Sequence, residues 1–327
     1  MSAVQDTVRA VVQAGGEPAA RLMGALEQRL QELATGHGPE LGRHAGDTIA
    51  AGGKRLRPLL LFLSAGAPPP ESDVLLRCAV AVELVHSATL VHDDVLDGSP
   101  LRRGRPTVMA AGGRLAATAT GDLLFSRAFS ELARTGSTAA VTVLSRASSE
   151  LAAGELMQRA DAWRVVDTER YLERCRLKTG VLFRAACELG ALAGEGPDGE
   201  SVPALADFGE RIGVAFQLLD DVLDVSGPPE RTGKPQGADL LDGTVNLPFI
   251  LARTRDPELA ALDPRAIDTV PEAARVCARI TATGALDVVR ARALELVAMG
   301  RDALPELPPR QRAALELISE GVVERYS

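Results

Sequence analysis

The chain has 327 residues and a formal net charge of −8, from 36 basic and 44 acidic side chains. That balance excludes general nucleic-acid binding, whose affinity comes from a basic surface that neutralises phosphates. Apolar residues make up 46% and aromatics only 3%, so the core must be built from Ala, Leu and Val, which favours packed helices over a β-sandwich.

Helical periodicity dominates along the chain, and no alternating strand pattern is convincing. Residues 17–35 read as an amphipathic helix. Pro58 follows a glycine-rich basic turn and suits the first position of a helix running to about Ser64. Residues 65–72 form a Pro/Gly loop, after which Asp73 is placed to cap a long helix reaching Asp97; Gly98-Ser99-Pro100 stops it. Further helices are expected over 107–134, 138–160 and 168–193. After a loop at 194–199, Ser201 can cap a helix in which Leu205, Phe208, Ile212, Ala215, Phe216 and Leu219 follow the i, i+3, i+4, i+7 rule. Residues 227–243 are Gly/Pro-rich and are expected to form a mobile loop, with several shorter helices beyond. No shift in composition marks a boundary, so residues 1–327 read as a single all-α domain.

The four cysteines, Cys78, Cys175, Cys187 and Cys277, lack the close spacing of a zinc site or disulfide framework, and a reducing cytoplasm is expected. The first residues do not have the basic region and apolar run of a secretion signal. The longest apolar run, at residues 59–67, is too short to cross a bilayer, so no transmembrane segment is expected.

One acidic signature occurs twice, as Asp93-Asp94-Val95-Leu96-Asp97 and as Asp220-Asp221-Val222-Leu223-Asp224. In each copy the first and last aspartates are four apart and share one helix face. Two such faces pointing at each other would make a cage for hard divalent cations, which take oxygen ligands. Without cations the repulsion is costly, roughly 4 kcal/mol for two carboxylates about 4 Å apart at an effective dielectric near 20. Leu90, Thr89 and His86 lie on nearly the same face as Asp93. The apolar turns from Ala79 to Leu90 imply that this helix is buried, against the reading of a solvated acidic end. Gln217 lies one turn before the second motif, either as a site residue or as a satisfied core amide.

Basic residues supply the counterpart. Gly52-Gly53-Lys54-Arg55-Leu56-Arg57-Pro58 places three cations before a helix start, where free N–H groups attract anions. Arg102-Arg103-Gly104-Arg105 follows the first acidic motif, and arginine forks suit phosphate oxygens. Each could instead be a solvated turn. Lys178 interrupts a stripe containing Cys175 and Leu182, so it either snorkels outward or meets an anion; Lys234 is a lid residue or an ordinary loop lysine. Cations beside metal-binding carboxylates fit a polyphosphate between them. No Walker A or kinase loop is present.

In these segments the chain resembles the trans-isoprenyl diphosphate synthases, or polyprenyl synthetases. The matching text is 52–58, 86–103, Lys178-Thr179-Gly180, 217–224 and 233–239, in the family's order. The resemblance implies an all-α isoprenoid synthase fold, an antiparallel helical bundle around a deep central cavity, normally a homodimer. It implies Mg²⁺, three ions per active site, held by Asp93, Asp97 and Asp220, with Asp94, Asp221 and Asp224 supporting directly or through water. Arg102, Lys178, Thr179, Gln217 and Lys234 would hold the allylic diphosphate; Lys54, Arg57, His86 and Arg103 would hold isopentenyl diphosphate. Asp93, Asp97, Asp220 and Lys178 are the implied catalytic set. One departure stands out: where relatives often carry Glu-Gly-Lys before Leu-Pro, this chain has Asp242-Gly243-Thr244, so weaker or differently organised diphosphate contacts are expected there.

Small residues at Ala88 and Thr89, where short-chain synthases of this kind often place aromatics, leave a path for the growing tail. The first motif also lacks a two-residue insertion seen in many bacterial short-chain members. Both features imply a product of six or more isoprene units, with a geranylgeranyl or farnesyl product as the alternative; Ala88→Phe is expected to shorten it. Phe125 and Phe129 could close the path deeper down, although core packing is the preferred role. A terpene cyclase would need only one acidic motif, and a non-catalytic regulatory subunit tends to lose motif aspartates, of which none is missing. A calcium loop at Asp93 to Gly98 has the wrong ligand spacing.

Overall fold

The computed structural model describes residues 16–34, 38–66, 72–102, 104–196, 198–228 and 234–324. Helices dominate: α1 Gly16–Ala34, α2 Pro39–Ala50, α3 Leu56–Ser64, α4 Asp73–Asp97, α5 Val108–Ala133, α6 Thr138–Ala160, α7 Thr168–Cys175, α8 Val181–Glu195 and α9 Val202–Ser226. They continue as α10 Ala238–Leu241, α11 Leu247–Arg253, α12 Pro257–Ala261, α13 Val270–Ala282, α14 Ala285–Asp302 and α15 Pro309–Glu324. The strands among the described residues are the two-residue pair β1 Leu101–Arg102 and β2 Arg105–Pro106, antiparallel. The all-α expectation holds. By contact the chain divides into two compact units, the first comprising 1–148, 182–209 and 304–321, the second 149–181, 210–303 and 322–327.

In the first unit, α4 is the central helix. Ser72, one residue before the expected Asp73, is its N-cap and accepts from Leu75 N; Gly98, in the left-handed region at φ 63°, closes its other end. Leu75, Val80, Val82, Leu84 and Val85 are all fully buried, so nearly every side of the helix is covered. Each such side chain contributes about 1.5–3 kcal/mol by burial. By length and composition alone α4 could cross a bilayer, a stretch longer than the apolar run read at 59–67; 67% of its most apolar window is buried inside the protein, as in a core helix. Helix α5 packs along it, and Gly121 leaves the notch that His92 fills: a Cβ there would lie 2.2 Å from His92 Nε2. A Cβ on Gly190 of α8 would lie 2.1 Å from the Leu61 carbonyl oxygen of α3, which explains glycine at that crossing.

The second unit holds a break that periodicity did not reveal. The helix expected over 168–193 is interrupted by a π turn, Arg176–Gly180, between α7 and α8. Such turns are inserted where a helix must re-aim side chains. Gly154 of α6 permits the approach, since a Cβ there would lie 2.8 Å from Leu177 Cβ and 2.9 Å from Lys178 N. Nearby, Trp163 packs on Gly243 and donates its backbone N–H to the Gly243 carbonyl at 2.8 Å. Arg174 donates to the Val245 carbonyl at 2.6 Å, so the segment around Thr244 is held from two sides. The loop expected at 227–243 contains α10, and its residues 229–233 lie outside the described ones. Pro58 occupies the third position of α3, not the first.

Candidate active site

At the end of α4, Asp93 is half-buried, Asp97 exposed and Asp94 buried. Both nitrogens on one side of the Arg102 guanidinium, Nε at 2.9 Å and Nη2 at 2.8 Å, meet Asp94 Oδ1. The hairpin makes this possible by turning the chain back just past the helix, anchored by the Thr107 hydroxyl, which donates to the Ser99 carbonyl at 2.7 Å. Asp94 is thus tied by a cation of the chain itself, and it is the most enclosed of the three aspartates. Arg103 lies outside the described residues.

In the turns of α4 before Asp93, His86, Thr89 and Leu90 are partly exposed, as is His92 beside them, while Ala88 is completely enclosed. A shared face is what the spacing predicted. Ala88 sits off it, so Thr89 is better placed than Ala88 to meet a ligand along this helix. Phe125 stacks on His92 with ring centroids 5.8 Å apart and is only half-buried, like Phe129.

The three cations of the glycine-rich turn separate by role. Lys54 and Arg57 are partly exposed, and the Arg57 guanidinium lies over the Phe183 ring at 4.5 Å. Arg55 is buried: it meets Glu27 at 2.7 Å and Glu83 at 2.7 Å. Burial works against its charge, but hydrogen bonds and charges from Glu27 and Glu83 outweigh that and hold its pKa above the ordinary value. It is neither a solvated turn residue nor an anion ligand.

The second motif lies in a hydrogen-bonded network in the second unit. Thr179 Oγ1 donates to Gln217 Oε1 at 2.9 Å, and Gln217 Nε2 donates to Asp221 Oδ1 at 2.9 Å. Tyr171 donates its hydroxyl to Asp221 Oδ2. Gln217 thus uses both ends of its amide, one accepting and one donating, and is the link between two motifs. Lys178, on the π turn, reaches Glu155 at 2.7 Å; it meets an anion of the chain, and does not simply snorkel. The Asp239 N–H points at both Asp224 oxygens, each at 3.4 Å. Lys234 is exposed.

Burial, then the charge of Asp239, pushes Asp221 up to about 7 and Asp224 up to about 9. Burial also raises Asp239, to about 6, against the lowering effect of Lys234; Asp220 adds to the rise and Lys178 to the opposition. Tyr171 is held well above its ordinary value, first by burial and then by Asp221. Buried carboxylates whose pKa is raised further by neighbouring carboxylates fit a hard divalent cation, which takes oxygen donors and would return them to the ionised form. Among the described residues no three His, Cys, Asp or Glu side chains converge into a ready ligand set. Water and a ligand's own oxygens would complete the shell, as suits Mg²⁺.

Because folding raises these pKa values above the unfolded 3.8, the folded state holds protons more tightly. Their contribution is full below about pH 4 and is lost as pH rises through the folded values. Magnesium should therefore raise the thermal midpoint more at pH 9 than at pH 5. A magnesium effect that is absent, or larger at pH 5, would contradict it.

Tyr171, Glu155 and Asp239 were not singled out from sequence. Tyr171 had a signal, since it stands seven and eight residues before Lys178 and Thr179 on one helical stripe. The partners of Lys178 and Asp224 come from other elements and left none.

Against this geometry, the family model for polyprenyl synthetase matches residues 39–280. The chain belongs to the polyprenyl synthetase family. It is thereby a prenyltransferase of isoprenoid biosynthesis, among the trans-isoprenyl diphosphate synthases. Heptaprenyl diphosphate synthase component 2 of Geobacillus stearothermophilus is 40% identical over 267 residues, 81% of this chain and 83% of that protein. Geranylgeranyl diphosphate synthase of Methanosarcina mazei is 37% identical over 286 residues, 85% of this chain and 88% of that protein. The crystal structure of polyprenyl synthase from Caulobacter crescentus, complexed with calcium and isoprenyl diphosphate, superposes with a TM-score of 0.89 at 35% identity. It covers 99% of this chain and 98% of that one. The fold is that of the polyprenyl synthases.

Proposed function

We propose that this polyprenyl synthetase condenses isopentenyl diphosphate with an allylic diphosphate, working as a single cytoplasmic domain, residues 1–327, and as a homodimer. The observation that supports it most is the cluster in which, after burial, Asp239 raises the pKa of Asp221 and Asp224 and Asp220 raises that of Asp221 and Asp239, while Lys234 and Lys178 lower that of Asp239. A bound diphosphate with divalent cations satisfies both sets of charges. Asp93, Asp97 and Asp220 would hold Mg²⁺, three ions per site, with Asp94, Asp221 and Asp224 orienting them. The metal supplies Lewis-acid stabilisation of charge on the departing diphosphate.

Lys178, Thr179, Gln217, Arg102 and Lys234 hold the allylic diphosphate, and Lys54, Arg57, His86 and Arg103 hold isopentenyl diphosphate. The allylic C–O bond breaks with its electron pair leaving on diphosphate. The π pair of isopentenyl diphosphate forms the new C–C bond, and the proton lost from that unit passes to the released diphosphate. No side chain has to act as a strong base. Holding the two carbons close accounts for much of the rate.

The product is proposed to have six or more isoprene units, because the partly exposed residues one turn before Asp93 are Thr89, which is small, and Leu90, neither of them aromatic. Thr89→Phe is expected to shift the product ladder down by one or more units. The enclosed Ala88→Phe instead forces repacking that costs about 1–3 kcal/mol. An unchanged ladder in Thr89→Phe would remove this helix as the ruler.

Labelled isopentenyl diphosphate, offered with allylic primers of several lengths and Mg²⁺, tests the reaction, with dephosphorylated products separated by chromatography. Elongated product from the purified chain alone is expected. One relative is named as component 2 of its synthase; no product from the folded chain alone would favour a subunit that needs another component.

A further inference from the structure

The turn between α2 and α3 has an unusual backbone at Arg55. Arg55 and Trp163 are the two non-glycine residues with positive φ among the described ones, and Arg55 stands at φ 49°, ψ 35° as the N-cap of α3. Left-handed backbone is unfavourable for a residue with a Cβ, and glycine or asparagine would adopt it more readily. Something in the arginine side chain has to offset that cost.

Its contacts show what does. Arg55 Nε and Nη2 meet the two carboxylate oxygens of Glu27 on α1 at 2.7 and 3.3 Å. Nη1 meets Glu83 on α4 at 2.7 Å, and Nη2 also donates to the Ile49 carbonyl near the end of α2 at 3.0 Å. One planar fork therefore ties three helices to a single point in the turn, which a lysine could not do. Lys54 stands immediately before it and Arg57 two residues after it, both left partly exposed. Gly52, at φ 70°, and Gly53 precede them, so the turn has little stiffness of its own.

We infer that Arg55, gripped by Glu27 and Glu83, is a positioning residue that presents Lys54 and Arg57 to the diphosphate of isopentenyl diphosphate. The inference rests on the proposed role of Lys54 and Arg57. The clamp fixes the turn before substrate arrives, so less order has to be imposed on binding. Because it holds one substrate only, its loss acts on that substrate's KM and not on the allylic partner or on the chemical step.

Steady-state kinetics with isopentenyl diphosphate varied, at saturating allylic diphosphate and Mg²⁺, test this on wild type, Lys54→Ala, Glu27→Gln, Arg55→Lys and Arg29→Gln. Arg29 lies on the same helix as Glu27 but bonds Glu131 and Glu32, outside the clamp. Glu27→Gln and Arg55→Lys are expected to raise the KM for isopentenyl diphosphate about three- to tenfold, with kcat and the allylic KM changed less than about twofold. Arg29→Gln should lower thermal stability without moving that KM. The Glu27 side chain is 44% exposed, so Glu27→Gln decides the matter even where Arg55→Lys does not fold. A wild-type KM in Glu27→Gln, beside a raised KM in Lys54→Ala, overturns the inference and leaves the substrate assignment standing. An unchanged KM in Lys54→Ala removes the assignment, and the inference with it.

Discussion

Asp93→Ala and Asp220→Ala should each lower kcat/KM by about 10³-fold or more, with a thermal midpoint equal to or above that of the parent protein. Asp93 stands half-buried at the end of α4, so its loss opens no cavity in the core. Asp220 raises the pKa of both Asp221 and Asp239 by its charge; removing it relieves repulsion that the metal-free fold has to bear. Activity and stability then move apart, as they do where a fold carries strain for the sake of its site. Asp94→Ala should behave differently, because Asp94 is buried and holds Arg102 through two contacts. It is expected to lose stability as well as rate. Kinetics and thermal unfolding on the same preparations check both. Activity within tenfold of the parent in Asp220→Ala would remove that residue from the machinery.

Glu83→Ala should have the largest effect on stability, about 3 kcal/mol, because it breaks a buried ion pair from one side. The Glu83 side chain is 4% exposed and that of Arg55 is 7%, so neither has water to replace the lost partner. Glu27 remains as a second partner for Arg55 and keeps the cost from going higher. Chemical denaturation reads the change directly. A loss below about 1 kcal/mol, the range of an exposed pair, would mean that water reaches the site.

These two results draw on different kinds of legibility. The aspartate motifs were readable because an i, i+4 spacing is a local pattern, and local patterns survive folding as helix faces. Helix ends were readable for the same reason: residues 138–160 were placed to the residue, and Ser72 displaced Asp73 as a cap only because both side chains can do it. What was missed depends on partners far along the chain. Composition cannot tell which of Lys54, Arg55 and Arg57 is buried, since Glu27 and Glu83 are each 28 residues away from Arg55. The π turn at 176–180 keeps the helical apolar pattern, and only Gly154, on another helix, betrays the close approach. Helix α2 was not expected, yet Pro39 and Glu40 in its first turn were available start signals. Tyr171 supports Asp221 across 50 residues, so the carboxylates were visible from sequence while the groups that hold them were not.

Calorimetric titration of an unreactive allylic diphosphate analogue, with and without Mg²⁺, into the parent protein, Asp93→Ala and Asp220→Ala is the most direct measurement. Binding that requires Mg²⁺ in the parent and weakens about a hundredfold or more in each variant is expected if both motifs hold the diphosphate through metal. Tight binding that persists in excess chelator, or that survives loss of either aspartate, would contradict it.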